Sequence, residues 1–347
     1  VYKRQTAAYP AEYGNSLGGI LDMKFRKGNN LNREYRFQAG LLGLDFATEG
    51  PFGKGENSGS YLFNYRYSTL GILSQMGVRV VSQDTDNIFQ DLSFNLNFPL
   101  SPKSTLTVFG LGGLSDEINS VKEDTATWQE GSHTSQYEFT SKLGTAGITF
   151  THLIDDKSFI KVVGMYGLND VTFTQDTLTK DMQQAFRREN SNFKIARTAG
   201  NITYQRKLSP GSSLKAGVTY TRFYYDVFLE QYRCTLPDLL QIYNGKGNTG
   251  LLQPYLQYSQ LLGKLRINAG LHSMQFGLTN SFVLEPRIGA ELYVGTSTSI
   301  GISYGLHSQI LPFPTYFTTV KTPAGNPVGQ PNTGLGLMRA HHTGLSY

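Results

Sequence analysis

The stretch Glu12–Gly28, EYGNSLGGILDMKFRKG, changes character in its middle, and much of the remaining chain repeats its second half. The first half is small and turn-prone. In the second half, apolar and charged side chains alternate over residues 21–26, as the period of two requires in a strand. The charged members of this alternation are Asp22, Lys24 and Arg26. The pattern predicts that a strand of a closed sheet runs from Gly19 to Lys27 and that an earlier domain ends just before it.

Alternating segments of this kind recur along the chain. Clear cases lie at residues 91–98, 214–221, 265–272, 287–294 and 299–307. The composition includes 38 Gly, 21 Tyr and 21 Phe, with 16% charged residues, which favours β structure over helices. The segments predict about fourteen strands, each near the roughly 9–11 residues that a tilted strand needs to cross a bilayer.

The connections between these segments alternate in length. Short turns are predicted near residues 50–59, 99–104, 154–158, 208–213, 262–264 and 295–298. Longer connections are predicted near residues 27–33, 74–87, 116–137, 170–194, 226–250, 275–282 and 309–337. Outer-membrane barrels have this asymmetry, with short periplasmic turns and long extracellular loops. A large soluble all-β protein, such as a propeller or a sandwich, also alternates and is the competing interpretation.

The positions of charged residues favour the membrane barrel, because Arg or Lys on the lipid face costs about 2–4 kcal/mol at the bilayer midplane. The charged residues on the polar faces of the alternating segments are predicted to face the lumen. These candidates are Asp22, Lys24, Arg26, Arg266 and Arg287, and Lys215 shares their pattern. Arg206 and Arg222 fall on the apolar faces, where a long side chain can extend to the interface.

The composition also excludes several classes of protein. The chain has no apolar run long enough for a transmembrane helix, and its first ten residues lack the apolar stretch of a signal peptide. The net charge of +5 is spread along the sequence, without the basic clusters of nucleic-acid-binding proteins. A single cysteine, Cys234, rules out an internal disulfide framework.

The opening stretch resembles a known junction. The run Glu12-Tyr13-Gly14, followed by Gly18-Gly19 and an alternating segment, resembles the junction between plug and barrel in TonB-dependent outer-membrane receptors. The resemblance covers residues 7–347 and points to a Bacteroidetes-type branch, often preceded by a carboxypeptidase-regulatory-like domain. Further stretches that carry it are GLDFATEGPF (43–52), LEPRIG (284–289), YGLHSQ (304–309) and RAHH (339–342). On this resemblance the junction residues are Tyr13, Gly14, Gly18 and Gly19.

The resemblance implies a domain organisation. Residues 1–18 correspond to the end of a plug domain, and residues 19–347 to a partial barrel. Members of this family have twenty-two strands around an N-terminal plug, so about fourteen strands imply an interior fragment. An open sheet of that size would expose unpaired backbone groups at its edges, which lipid cannot satisfy.

The resemblance also implies a function: import of a scarce solute across the outer membrane of a Gram-negative bacterium, by displacement of the plug. The implied partners are outer-membrane lipid, TonB through a box upstream of this chain, and in some cases a surface lipoprotein. The imported ligand stays open, and no cofactor is expected. The alternatives are a passive pore and an adhesion or scaffold barrel, neither of which needs TonB.

Three short motifs have the residue types of phosphate-binding or metal-binding sites, but none has the complete pattern. The run GKGNTG at residues 245–250 matches GxGxxG, but without a following helix it predicts a flexible loop. Asp84 and Asp86 lack the glycine and distal glutamate of an EF-hand loop. His341 and His342 are adjacent, so a strand turns them to opposite faces and away from a shared metal.

Catalysis is not indicated. His272-Ser273 and His307-Ser308 are neighbours in sequence, but no carboxylate is obviously placed to orient either imidazole. The chain is therefore predicted not to be an enzyme. Aromatic residues in the predicted loops either stack on a ligand or cover the plug, and both interpretations stay open; they are Trp128, Tyr232, Tyr243, Tyr316 and Phe317.

Overall fold

A computed structural model of the chain describes residues 9–41, 43–53, 58–76, 85–121, 134–179, 184–233, 239–295, 298–322 and 327–347. Its main feature is one sheet of fourteen antiparallel strands whose order follows the chain. The strands of this sheet are β1 (Glu34–Gly40), β2 (Gly43–Pro51), β3 (Ser60–Tyr67), β4 (Thr85–Ser101), β5 (Ser104–Asn119), β6 (Ser135–Asp155), β7 (Ser158–Leu178), β8 (Ala185–Ser209), β9 (Ser212–Gln231), β10 (Leu240–Leu262), β11 (Leu265–Phe276), β12 (Ser281–Tyr293), β13 (Ser299–Gln309) and β16 (Met338–Ser346). The predicted all-β architecture with about fourteen strands is confirmed.

The remaining elements are short. A helix, α1 (Leu70–Gln75), precedes β4. The connection from β13 to β16 contains a one-turn helix, α2 (Phe313–Tyr316), the small strands β14 (Val320–Lys321) and β15 (Pro327–Gly329), and a 3₁₀ turn at Pro331–Gly334. Among the described residues, no helix combines the length and the apolar character needed to cross a membrane.

The two faces of the sheet differ as the alternation requires. We call the face that contacts residues 9–30 the inner face, and the opposite face the outer face. Apolar side chains line up across the outer face, as in the row formed by Phe37, Phe46, Tyr65 and Leu92. Each of these four side chains is at least 40% exposed. A soluble protein rarely leaves such a contiguous apolar surface uncovered, whereas a lipid-facing barrel wall needs it.

The predicted short turns near 99–104, 154–158, 208–213 and 262–264 are confirmed, whereas those near 50–59 and 295–298 lie partly outside the described residues. Strands β4 and β5, for example, are joined by residues 102–103, and β10 and β11 by residues 263–264. We call this end of the sheet the short-turn end. The chain reverses between β1 and β2, where Gly40 pairs with Gly43.

Two of the predicted long connections are wrong. Residues 170–194 and 226–250 are mostly strand, and only residues 179–184 and 232–239 connect the strands there. The segments read as loops because they are polar, but their charged residues face opposite charges across the sheet. Asp170 lies opposite Lys194, and Asp226 lies opposite Lys246. The predicted long connection at 275–282 also shortens, to the turn of residues 277–280.

The predicted first strand, Gly19–Lys27, is also wrong, because the sheet begins at Glu34. Residues 25–30 instead lie against the inner face of β2–β5. The Arg26 guanidinium pairs with Glu49, and the Arg26 carbonyl accepts a hydrogen bond of 2.8 Å from Asn95 Nδ2. Gly28 approaches β3 so closely that a Cβ would lie 2.0 Å from the Tyr61 carbonyl oxygen. The alternation thus belongs to a segment crossing the sheet.

Candidate functional site

The inner face near the short-turn end holds the N-terminal segment, which we define as residues 9–17. Tyr9 and Ala11 retain only 5% and 1% of their exposure. Strands β9 to β13 supply the side chains that contact this segment. The even spacing of those strands and their antiparallel register bring residues from distant parts of the sequence to one surface.

Arg287 of β12 is the central contact. Its Nη1 lies 2.6 Å from the carbonyl oxygen of Tyr13, 2.9 Å from that of Pro10 and 3.4 Å from that of Tyr9. Its guanidinium carbon lies 4.6 Å from the centre of the Tyr9 ring, a cation–π contact. The Arg287 side chain is 3% exposed, so these bonds form away from bulk water.

Glu285, two residues earlier on the same face, holds Arg287 in place. Its Oε2 accepts a bond of 2.6 Å from Arg287 Nη2 and one of 2.7 Å from His272 Nδ1 of β11. Gln253 Nε2 lies 3.4 Å from His272 Nε2, an arrangement in which Nδ1 donates and Nε2 accepts. Glu285 is fully buried. Because a buried carboxylate is costly without partners, Glu285, His272 and Arg287 form one interdependent cluster.

Further polar contacts hold the segment along its length. The Ala11 amide donates to Gln257 Oε1 at 2.9 Å, and the Leu17 amide donates to Gln309 Oε1 at 3.2 Å. Lys215 of β9 pairs with Glu12. Asn15, in the left-handed region at φ 54°, accepts a bond of 2.9 Å from the Ile310 amide. The segment is therefore attached mainly by hydrogen bonds and ion pairs.

Two aromatic side chains of the segment are partly enclosed. The Tyr9 ring stacks on His307 of β13 with a centroid distance of 4.1 Å, and its hydroxyl donates to the Ser16 carbonyl. Burial raises the pKa of the Tyr9 phenol. Burial, together with the nearby carboxylates of Glu12 and Asp22, raises the pKa of the Tyr13 phenol. Both phenols therefore remain neutral hydrogen-bonding groups at physiological pH.

The predicted junction residues divide into two pairs. Tyr13 contributes its carbonyl to Arg287, and Gly14 lies so close to β11 that a Cβ would stand 2.2 Å from the His272 ring. Gly18 and Gly19 have open space at the corresponding position. The close approach explains a glycine at position 14, whereas no contact explains those at 18 and 19.

The predicted lumen-facing residues also separate. Arg287 and Arg266 lie on the inner face, where Arg266 is exposed and stands 5.6 Å from the Tyr293 ring. Asp22 and Lys24 form an exposed pair at 3.3 Å, outside any strand. Arg26 pairs with Glu49 of β2.

Sequence reasoning missed Glu285 and the way His272 is used. The sequence places Ser273 beside His272 and shows no carboxylate nearby, whereas Glu285 lies directly opposite His272 on β12. The available signal was the period of two in LEPRIG, which places Glu285 and Arg287 on one face. Their pairing with His272 depends on the register between β11 and β12, and the sequence alone does not determine that register.

The other end of the inner face is covered by residues 310–319, which we call the inner cover. Phe313 and Phe317 stack on Tyr225 with centroid distances of 4.9 and 5.0 Å. Tyr316 is completely buried and lies 5.9 Å from Phe276. Tyr316 and Phe317, interpreted as loop aromatics, thus pack against the sheet.

The inner cover also explains the GKGNTG run, whose predicted flexible loop is wrong, because residues 245–250 lie within β10. A Cβ on Gly245 would stand 2.1 Å from the Phe317 ring, and one on Gly247 would stand 2.8 Å from the Tyr225 hydroxyl. The glycines make room for aromatic rings. No phosphate-binding turn is formed.

Beside the inner cover, the inner face borders a cavity of about 840 Å³. Its walls include Arg66, Phe89, Arg197, Phe223 and Phe313. The cavity is lined by strands β3 to β9 and by Phe313 of the inner cover, and it combines cationic and aromatic side chains. It is large enough to admit a small organic solute.

The remaining sequence candidates are accounted for as follows. His342 faces inward, 4.9 Å from the His307 ring, and His341 faces outward with Tyr304, so their predicted separation is confirmed. Among the described residues, no group of three potential ligands could hold a metal ion. Asp84, Trp128 and Cys234 lie outside the described residues, as does the side chain of Asp86.

The fold matches solved structures of receptors and of a transporter. No family model matches the chain, and no curated protein does. The ferric-catecholate import receptor Fiu from Escherichia coli K12 is similar, with 14% identity, a TM-score of 0.66, and coverage of 98% of this chain and 59% of that one. The ferric enterobactin receptor PfeA from Pseudomonas aeruginosa has 12% identity and a TM-score of 0.60, and the match covers 98% of this chain and 54% of that one. The copper transporter OprC has 10% identity and a TM-score of 0.59, and the match covers 90% of this chain and 51% of that one.

These similarities define the class of fold: the antiparallel sheet of this chain matches the barrels of receptors of the TonB-dependent kind. At such low identity the likeness concerns the fold alone. The chain spans about half the length of each of these structures.

Proposed function

We propose that the chain is part of a TonB-dependent outer-membrane receptor of the Bacteroidetes type, which imports a scarce solute. Residues 9–17 would be the end of its plug domain, seated on the barrel wall. The observation that carries the proposal is that Arg287, on the inner face, binds three main-chain carbonyls of this segment, those of Tyr9, Pro10 and Tyr13. A passive pore needs no such attachment of an N-terminal segment inside its wall.

The two faces of the sheet support an outer-membrane location. The outer face exposes apolar rows suited to lipid, whereas the inner face carries the ion pairs Arg36–Asp45 and Arg66–Asp91. An outer-membrane barrel needs this division between lipid and lumen. Lipid is accordingly the partner of the outer face.

The contacts between residues 9–17 and the barrel wall suit a segment that must move. Each of its neutral hydrogen bonds contributes only about 0.5–1.5 kcal/mol net, because water replaces the partner when the bond breaks. The attachment can therefore be broken in steps by force applied upstream, through TonB, without exposing a large apolar surface. A bound solute would favour the loosened state by binding it more tightly.

The cavity beside the inner cover is the proposed location for solute before passage. It opens on the inner face away from the N-terminal segment, and Arg197 and Phe223 in its walls offer a cation and an aromatic surface. A surface lipoprotein, where the receptor has one, would deliver solute at the end of the sheet opposite the short-turn end. The proposal describes the imported solute only as a scarce nutrient.

A reversible cross-link tests the proposal. Ala11 and Gly270 face each other, and a Cβ on Gly270 would stand 2.8 Å from that of Ala11. Disulfides hold their Cβ atoms about 3.5–4.5 Å apart, so a shift of about 1 Å allows one to form. The variant is Ala11→Cys/Gly270→Cys in a Cys234→Ser background, with each single cysteine as a control.

We expect the oxidised double variant to bind solute at the cell surface but to lose its uptake, and reduction to restore uptake. Cells are grown under iron limitation or glycan limitation, and uptake is followed with labelled nutrient. Full uptake through a receptor whose cross-link is complete would contradict the proposal. Uptake that is independent of TonB would favour the passive pore.

A further inference from the structure

Five charged side chains of alternating sign lie side by side on the outer face, each on the next strand of the sheet. They are Lys142 of β6, Asp170 of β7, Lys194 of β8, Asp226 of β9 and Lys246 of β10. We call this row the charge ladder. Four of its members, all except Lys142, lie in the segments 170–194 and 226–250, whose polar composition predicts loops.

The ladder is paired internally but keeps an excess of positive charge. Lys194 Nζ lies 3.0 Å from Asp170 Oδ2, and Lys246 Nζ lies 2.7 Å from Asp226 Oδ2. The Lys194 and Lys246 side chains remain 49% and 78% exposed. With three lysines and two aspartates, the row carries a net charge of +1. An ammonium group has three donors, so each paired lysine can still bind a further anion.

The ladder marks the edge of the apolar band. Below it, towards the short turns, the outward positions of β9 run from Tyr224 down to Leu214. Ten residues at about 3.3 Å each, tilted by about 45°, span roughly 23 Å, close to the roughly 25 Å apolar band of outer-membrane barrels. The ladder therefore stands at the level of the lipid headgroups, given the outer-membrane location proposed above.

Arg222 adds a further cation, beside Lys194 and Lys246. It lies on the outer face of β9, and its guanidinium donates to Asn248 Oδ1 of β10. Asn248 lies opposite Tyr224, one outward position closer to the ladder than Arg222. The Arg222 side chain thus extends from the apolar band towards Lys194 and Lys246, as long cationic side chains do at membrane interfaces.

We propose that Lys194, Lys246 and Arg222 bind the phosphate of a lipid headgroup in the outer leaflet. The three cations come from adjacent strands and surround Tyr224, whose ring is 47% exposed at the top of the apolar band. Phosphate groups match this arrangement because they offer several acceptor oxygens to several cations. The acyl chains of the same lipid then cover the apolar rows below. Asp170 and Asp226 hold the lysines at the correct height.

The test uses the protein purified from its own membrane in a non-ionic detergent. Thermal unfolding is followed while lipid A is added, either with its phosphates or after their chemical removal, and separately while inorganic phosphate is added. The variant is Lys194→Gln/Lys246→Gln. The control is Lys161→Gln, which removes one positive charge from the inner face of β7, where lipid does not reach, and it is compared with Lys194→Gln and Lys246→Gln as single variants as well.

We expect phosphorylated lipid A to raise the unfolding temperature more than the dephosphorylated lipid. The double variant should bind phosphorylated lipid A about 30-fold more weakly, because each basic residue near an anionic lipid surface strengthens binding about fivefold. The control should bind like the unchanged protein. Equal effects of both lipids, or equal binding by the double variant, would overturn the inference, as would a shift reproduced by inorganic phosphate alone.

Membrane fractionation separates this inference from the proposed function. A protein found outside the outer membrane sinks the proposed function, whatever the lipid titration gives. A protein found in the outer membrane whose unfolding ignores lipid phosphates overturns only the lipid site.

Discussion

Two of the segments on the inner face of this sheet, the N-terminal segment and the inner cover, are attached by different kinds of interaction. The N-terminal segment is held chiefly by polar contacts: Arg287 and Gln257 bind its backbone, Lys215 pairs with Glu12, and only the Tyr9 ring adds a stacked contact. The inner cover is held by apolar rings, with Tyr316 and Phe313 buried against the wall. Water can replace the first kind of contact but not the second. The molecule therefore carries one attachment suited to release and one suited to permanence.

The largest expected effect comes from Arg287→Met. The substitution leaves Glu285 buried and without its guanidinium partner, and breaking such a pair costs about 3–5 kcal/mol. We expect a lower unfolding temperature and protease cleavage within the N-terminal segment. Arg266→Met, an exposed arginine on the same face, is the matched control and should change little.

A double variant shows whether the buried charge is the cause. Glu285→Gln/Arg287→Met removes both charges, so it should recover part of the lost stability while the N-terminal segment remains detached. Equal stability of the single and double variants would mean that the loss arises elsewhere.

Leu251→Ala tests the permanent attachment. Leu251 is 1% exposed in the cluster beneath the inner cover, and truncating a buried leucine costs about 2–5 kcal/mol; we expect about 3. The neighbouring Leu252 faces outward and is 36% exposed, so Leu252→Ala should cost under about 1 kcal/mol in detergent. Unfolding in denaturant measures both. Similar losses would mean that the cluster is not a packed core.

Gly245→Ala tests the same attachment by overpacking. The added Cβ would stand 2.1 Å from the Phe317 ring, and overpacking costs about 1–3 kcal/mol. A second substitution, Phe317→Leu, should relieve much of this cost by removing ring atoms. A stable single variant would show that the inner cover moves easily, which would weaken the contrast between the two segments. Thermal unfolding of the single and double variants gives the answer.

The smallest effect is expected for Lys215→Met, which breaks the ion pair with Glu12. Both side chains are about one quarter exposed, so the pair contributes about 0.2–1 kcal/mol and weakens as salt is added. Protease accessibility of the N-terminal segment at low and high salt measures it. A loss as large as that of Arg287→Met would make the ion pair, rather than the arginine, the principal contact.

The sequence predicted the strands because their period of two is local. It failed at residues 21–26 because periodicity describes an extended segment without naming its partner. Arg26 meets Glu49, and Gly28 meets the backbone of β3, at separations that no window of sequence contains. The same limit hid Glu285, whose partner His272 lies on another strand.

Residues 245–250 failed for the opposite reason. Their glycines and polar residues have the composition of a loop, but each type occupies its own face of β10. Lys246 points outward to Asp226, while Gly245 and Gly247 leave room inward for aromatic rings. Composition averaged over both faces conceals this division, which only the strand register reveals.

The hydrogen bonds of Arg287 to the N-terminal segment all go to main-chain carbonyls, although its guanidinium also lies against the Tyr9 ring. Substitutions at positions 9, 10 and 13 therefore leave the acceptors of these bonds in place. Selection that preserves these hydrogen bonds acts on Arg287 and on the backbone conformation of the N-terminal segment. Positions 10 and 13 can therefore change without the loss of an acceptor, whereas Tyr9 also contributes its ring to Arg287 and His307, and the close approach to His272 requires glycine at position 14.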